Sequence, residues 1–165
     1  MSLTPTQKLH FREEIADFCA LAESYERRWH YTQHRPYTGL GVAPQTYHYD
    51  DCSAYCALVF WWAAHHVAGV SVADPLGMHF SGWGWTGSAL SFLQAHHAPV
   101  DKYLIGDMAI FGTLSLTVHM MVCRKAGTAT SAVWSSHGSE AGPSARELGY
   151  HPSPLVGVYR HPALL

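Results

Sequence analysis

Cys52 stands in the segment Tyr47-His-Tyr-Asp-Asp-Cys-Ser-Ala-Tyr55, directly after a loop bearing Pro and Gly and at the head of a long apolar run. That placement puts its thiol in the first turn of a helix, where unpaired N–H groups and the positive dipole end favour the thiolate and lower its pKa. The same N–H groups can hold the oxyanion of a tetrahedral intermediate. The chemistry suggested is nucleophilic attack on an acyl carbon. A thiolate needs a base from elsewhere in the fold, and Thr117-Val-His-Met-Met-Val122 offers one. Alternation there puts Thr117, His119, Met121 and Cys123 on one face of a strand and Val118, Met120 and Val122 on the other. His137, in Val133-Trp-Ser-Ser-His-Gly-Ser-Glu140 at the end of the next strand, is the third candidate, expected to hold the imidazole of His119 in the required tautomer. For an arbitrary cysteine the plainer reading is a small buried apolar residue, and it is adopted for Cys19, Cys56 and Cys123.

The elements that must position these groups are legible in outline. Thr4, Pro5 and Gln7 give a cap, a first-turn proline and a capping-box partner. Phe11, Ile15, Phe18, Ala22, Tyr25 and Trp29 then recur at steps of four and three, which predicts an amphipathic helix over residues 5–29. Residues 31–49, with Pro36, Gly39, Gly41, Pro44 and several aromatics, read as an ordered loop. A second helix is expected over residues 53–67, apolar nearly all round and therefore central, with Gly69 ending it. The loop Ser81-Gly-Trp-Gly-Trp-Thr-Gly87 leads to a shorter helix over 88–96, with Thr86 as its cap. Beyond Pro99, residues 108–111, 116–123, 130–136 and 156–160 read as strands of an antiparallel sheet of three to five strands. Helices first and strands afterwards imply an α+β fold.

The chain has 165 residues, within the roughly 100 to 200 of one ordinary domain, and a single catalytic domain over 1–165 is expected. With 48% apolar residues it can build a hydrophobic core without staples, and disorder is excluded. Ten Lys and Arg against twelve Asp and Glu leave no basic footprint for a phosphate backbone, so no nucleic-acid partner is expected. Protonating all thirteen His would carry the formal charge from −2 to +11, so the surface changes character below about pH 6.5. Glu13, Glu14 and Asp17 occupy the place of a secretory apolar segment. Without one, the four Cys do not read as a disulfide framework. The stretch from Cys52 to Val72 is broken by His65, His66 and Gly69, so no stable membrane insertion is expected.

Three motifs in order, Asp51-Cys-Ser-Ala-Tyr55 heading a helix, Gly106-Asp-Met-Ala-Ile110 opening a strand and His119 followed by an apolar run, resemble the pattern of the NlpC-type papain-like cysteine peptidases, which cut peptidoglycan stem peptides. The Arg35-Pro36 loop, Gly82-Trp-Gly-Trp-Thr-Gly87 and Ser136-His-Gly-Ser-Glu-Ala-Gly-Pro143 are similar to the version found in endolysins of phages that infect actinobacteria. The resemblance spans about residues 35–160, and its specific parts are the Cys block and the Ser136–Pro143 block. It implies a papain-like α+β fold in which the nucleophile helix packs on an antiparallel sheet. It implies Cys52 as nucleophile, His119 as general base and then acid, and His137 as the residue orienting His119. It implies peptidoglycan as the partner, no metal or other cofactor, and a host-cytoplasmic enzyme that reaches the wall after another protein permeabilises the membrane. Ala54 stands where the family usually has Gly, a change a helix accepts readily. The helix over 5–29 precedes the usual start of the family domain. No cell-wall-binding module accompanies the motifs, so targeting is expected to fall to the catalytic domain.

Tyr47, Tyr49, Trp83 and Trp85 are candidate groove walls, since aromatic rings give a peptide or sugar a flat apolar surface with polar edges. Asp50 or Asp51 is expected to cap the second helix. Two rival functions stand beside the thiol enzyme. A zinc-dependent peptidoglycan amidase would use the many His, yet His65-His66 and His96-His97 are neighbours whose rings diverge by about 100° on a helix, and no His-Glu-x-x-His occurs. A non-catalytic phage structural or wall-binding protein would keep the fold without the chemistry.

Overall fold

The computed structural model describes residues 3–36, 42–67, 70, 84–96 and 100–165. Helix α1 spans Pro5–Ser24 and opens as expected: Thr4 accepts from the Gln7 amide and the Gln7 side chain accepts from the Thr4 amide. Phe11, Ile15, Phe18 and Ala22 are its buried stripe. The helix stops well short of Trp29. After a 3-10 turn at Glu26–Arg28, the chain extends as strand β1, Trp29–Tyr31, which pairs in parallel with β2, His48–Asp50. No Gly or Pro marks this ending. Trp29 gains more from lying flat on His48, ring centroids 3.7 Å apart and planes within 5°, than from one more helical turn.

Helix α2, Cys52–His66, is buried continuously from Cys52 through Phe60, which is why its sequence shows no polar face. Helix α3 spans Thr86–His96, so Thr86 is its first residue and not a preceding cap. Five strands follow: β3 Asp107–Gly112, β4 Thr117–Lys125, β5 Val133–Gly138, β6 Ala141–Arg146 and β7 Leu155–Arg160. They form one antiparallel sheet in the order β6-β5-β4-β3-β7. The protein is thus mixed α+β, with three α-helices and this five-stranded sheet among the described residues. Strand β6, Ala-Gly-Pro-Ser-Ala-Arg, lacks β-forming residues and was not expected. It lies at the sheet edge, where Pro143 costs no ladder bond, and a Cβ on Gly142 would collide with the Glu26 carbonyl of the 3-10 turn.

Both faces of the sheet are covered. Met108, Ile110, Met120 and Val122 pack with α1, α2 and α3 in the larger core. Ala109, Phe111, Met121, Cys123, Trp134 and Val158 form a second cluster on the opposite face, under Leu148 and Tyr150. All four cysteine thiols are free and buried. Among the described residues no helix is long and apolar enough to cross a membrane.

Candidate active site

Asp51, at the N-cap of α2, fixes where Cys52 begins. One carboxylate oxygen, Oδ1, accepts from the amides of Ser53 and Ala54, both at 2.9 Å, and from the Ser53 hydroxyl at 2.7 Å. The other oxygen accepts from Arg35 at 2.5 Å, and the Arg35 Nε donates to the Gly84 carbonyl at 3.0 Å. One guanidinium therefore ties the loop after β1, the start of α2 and the approach to α3 together. The cap also corrects an expectation. The Ser53 and Ala54 amides are engaged by Asp51 and are not free to receive an oxyanion.

Cys52 opens onto a cleft of about 460 Å3 lined by Tyr31, Gln33, Arg35, Trp85, Thr86 and Val118 among others. The residue is 3% exposed, and its thiol lies 3.7 Å from the Thr86 hydroxyl. Burial first, and the neighbouring Asp51 carboxylate second, push the thiol up to about 12. The expected lowering by the helix end does not prevail, because desolvation disfavours the thiolate and the cap brings its own negative charge to that end.

His119 lies on β4 with its Nε2 2.7 Å from the Ser136 hydroxyl and 3.0 Å from the Tyr150 hydroxyl. Its ring stacks on His151 at 4.7 Å, planes within 4°, and neighbours Phe111 at 6.1 Å. These partners belong to the side of the sheet away from α2. Burial, reinforced by His151, holds the imidazole down at about 3, so it is a neutral ring.

His137, on β5, faces the other way. Its ring meets Trp29, Tyr31 and Tyr55 edge to face at 5.7–6.2 Å. Its Nε2 is 3.2 Å from Oδ1 of Asp50, and its Nδ1 is 3.3 Å from the Ala141 carbonyl. The residue holding His119 is therefore Ser136, together with Tyr150, and not His137. Adjacent residues on one strand point to opposite faces, so Ser136 and His137 cannot both meet the same ring. Among the described residues, neither imidazole is hydrogen-bonded to the Cys52 thiol, whose side-chain partner is Thr86.

Of the four expected groove walls, Trp85 lines the cleft. Tyr47 and Tyr49 do not: they are 66% and 61% exposed on the outer side of β2. Trp83 lies outside the described residues. Tyr31, Gln33 and Thr86 are cleft residues that the sequence does not single out, since their segments carry only loop and cap signals. Asp50 was also missed as the partner of His137. Its sequence neighbour Asp51 is the cap, and a pair of acidic residues before a helix carries no signal of which does what. Among the described residues, no three His, Cys, Asp or Glu side chains are grouped to hold a metal ion.

Set against protein-family models, curated proteins and solved structures, the chain matches none of them significantly.

Proposed function

We propose that this chain is a cysteine peptidase or amidase of the papain-like NlpC type that cleaves an amide bond of peptidoglycan stem peptides in the manner of a phage endolysin. The observation that carries the reading is the position of Cys52, at the first residue of the central helix and on the wall of a cleft with aromatic, amide and guanidinium groups around it. Cys52 adds to the amide carbonyl, and the base that takes its proton returns it to the leaving amine as the C–N bond breaks. Water then adds to the thioester, the C–S bond breaks, and the acid and the thiol are released. Tyr31 and Trp85 bound the peptide, and the Arg35 and Gln33 side chains meet its polar groups.

In this reading His119 is the base. The burial that holds its ring at about 3 makes it a weak base, so the reaction requires it to leave the Ser136 and Tyr150 hydroxyls on the side of the sheet away from α2, reach the thiol and gain basicity there. One observation favours a second assignment of the same role. His137 is on the side of the sheet that α2 covers, with a carboxylate, Asp50, against its ring, which is the relation an orienting acid has to a base imidazole.

The test is release of free amines from purified peptidoglycan, with the fragments identified by mass spectrometry. Wild type is expected to release them and Cys52→Ala to release none while remaining folded. Full turnover by Cys52→Ala, or loss of turnover to a chelator but not to thiol alkylation, overturns the proposal.

A further inference from the structure

Cys52 and Thr86 are the first residues of α2 and α3, and the two helix starts meet in the cleft. The Thr86 hydroxyl lies 3.7 Å from the Cys52 sulfur, and among the described residues it is hydrogen-bonded to nothing else. A hydroxyl on a helix ordinarily turns back to a carbonyl of the preceding turn. Ser91 does so on the same helix, donating to the Gly87 carbonyl at 3.0 Å. Thr86 is turned to the sulfur.

Several contacts hold it there. Arg35 donates to the Asp51 carboxylate and to the Gly84 carbonyl, so one side chain fixes the residue before Cys52 and the residue two before Thr86. The Ser88 hydroxyl accepts from the Trp85 amide at 2.9 Å and donates to the Trp85 carbonyl at 2.8 Å, which closes the first turn of α3 around Thr86. On the other side of Thr86, the Trp85 indole lies so close to Gly87 that a Cβ there would meet the ring at 2.3 Å. Thr86 is only 6% exposed, so water competes little for its hydroxyl.

The chemistry needs a donor at this point. Asp51 takes the Ser53 and Ala54 amides and adds a like charge, so the end of α2 is a poor support for a thiolate. Burial, and Asp51 after it, push the thiol up to about 12, while the Met120 backbone and next the Thr86 hydroxyl oppose that rise. A hydroxyl can rotate: it accepts from S–H while the thiol is neutral and donates O–H once the sulfur is an anion. We propose that Thr86 is the donor that holds Cys52 as the thiolate, both before attack on the amide carbonyl and when the sulfur leaves as the C–S bond of the thioester breaks. The thiol proton goes to the base imidazole and Thr86 keeps its own, so no bond is made or broken at Thr86. The proposal rests on the reading of Cys52 as the nucleophile and adds the group that stabilises its charge.

The experiment uses the whole chain with Cys52 intact and iodoacetamide as the probe, and mass spectrometry follows the label on the peptide bearing Cys52 between about pH 7 and about pH 9. Only the thiolate reacts, so below the thiol's pKa the rate follows the thiolate fraction. Thr86→Val keeps the branched shape and removes the hydroxyl. It is expected to react about ten-fold more slowly than wild type at each pH, the size of one hydrogen bond to a charged group. Thr86→Ser is expected to restore the rate, and Ser91→Ala to leave it unchanged. Circular dichroism verifies that each variant is folded, and Thr86→Ala is read in place of Thr86→Val if the latter does not fold. Equal rates in wild type and Thr86→Val overturn the assignment, as does a wild-type thiol that is labelled only on denaturation. Thr86→Ser or Ser91→Ala as slow as Thr86→Val also overturns it, since the effect then belongs to the packing of α3. Amine release from a soluble stem peptide is scored separately. Slowed alkylation of Thr86→Val without amine release by wild type keeps the donor and removes the hydrolase, and amine release with equal alkylation does the reverse.

Discussion

Nε2 of His137 lies 3.2 Å from Oδ1 of Asp50; both side chains are buried, and the His137 ring meets those of Trp29, Tyr31 and Tyr55. Burial raises the Asp50 carboxyl above its ordinary value, and the contact with His137 opposes that rise. Deleting one member of such a pair leaves the other buried without its partner. Asp50→Ala is therefore expected to lower stability by about 3 kcal/mol, and the near-isosteric Asp50→Asn by less. Urea denaturation measures both. A loss within about 0.5 kcal/mol for Asp50→Ala would show that the pair does not hold β2 to β5.

The two imidazoles make different kinetic predictions because they lie on opposite faces of the sheet. With His119 as base, His119→Ala is expected to reduce kcat/KM by about a hundred- to ten-thousand-fold, while His137→Ala leaves a larger residual rate. The opposite ranking, measured as amine release from the same peptide, would assign the base to His137 and leave His119 a structural role with Ser136 and Tyr150.

Acid should loosen the fold through His119. Its imidazole is held at about 3, against roughly 6.5 in an unfolded chain, so the unfolded state binds the extra proton between those values. Stability contributed by the neutral ring is complete above the ordinary value and is lost as pH falls toward about 3, by an amount on the order of a few kcal/mol. Asp50 acts in the opposite sense. Its raised carboxyl favours the neutral acid in the folded state, so its contribution is present at low pH and fades as pH rises through the raised value. Denaturation midpoints from about pH 4 to about pH 7 should rise with pH in wild type, and His119→Gln should flatten that rise. Equal slopes in the two proteins would remove His119 as the cause.

Much of the scaffold was legible because its signals are local. Thr4, Pro5 and Gln7 announced the start of α1, and the unbroken apolar run from Ala54 to Phe60 announced a central helix. The strands beyond Pro99 were visible in their β-forming residues, within a few positions at each end. The end of α1 at Ser24, the short strands β1 and β2 and the edge strand β6 were not. The first three depend on a partner distant in sequence, Trp29 on His48, while β6 is the hairpin partner of β5 without β-forming residues, and its Gly142 lies close under the Glu26 carbonyl. Propensity is a weak prior against such contacts.

For the site, the sequence by itself determined that Cys52 opens a helix and that His119 shares a strand face with Met121 and Cys123, since capping and alternation are properties of a few consecutive residues. Which of those faces α2 would cover is not written in any single strand. The tertiary structure decided it by packing α2 on Met120 and Val122, and so turned His119 toward Ser136 and Tyr150 and left His137 with Asp50. It also decided that the thiol is neutral, because burial is a property of the assembled core, and the charge at a helix end depends on what else is brought there.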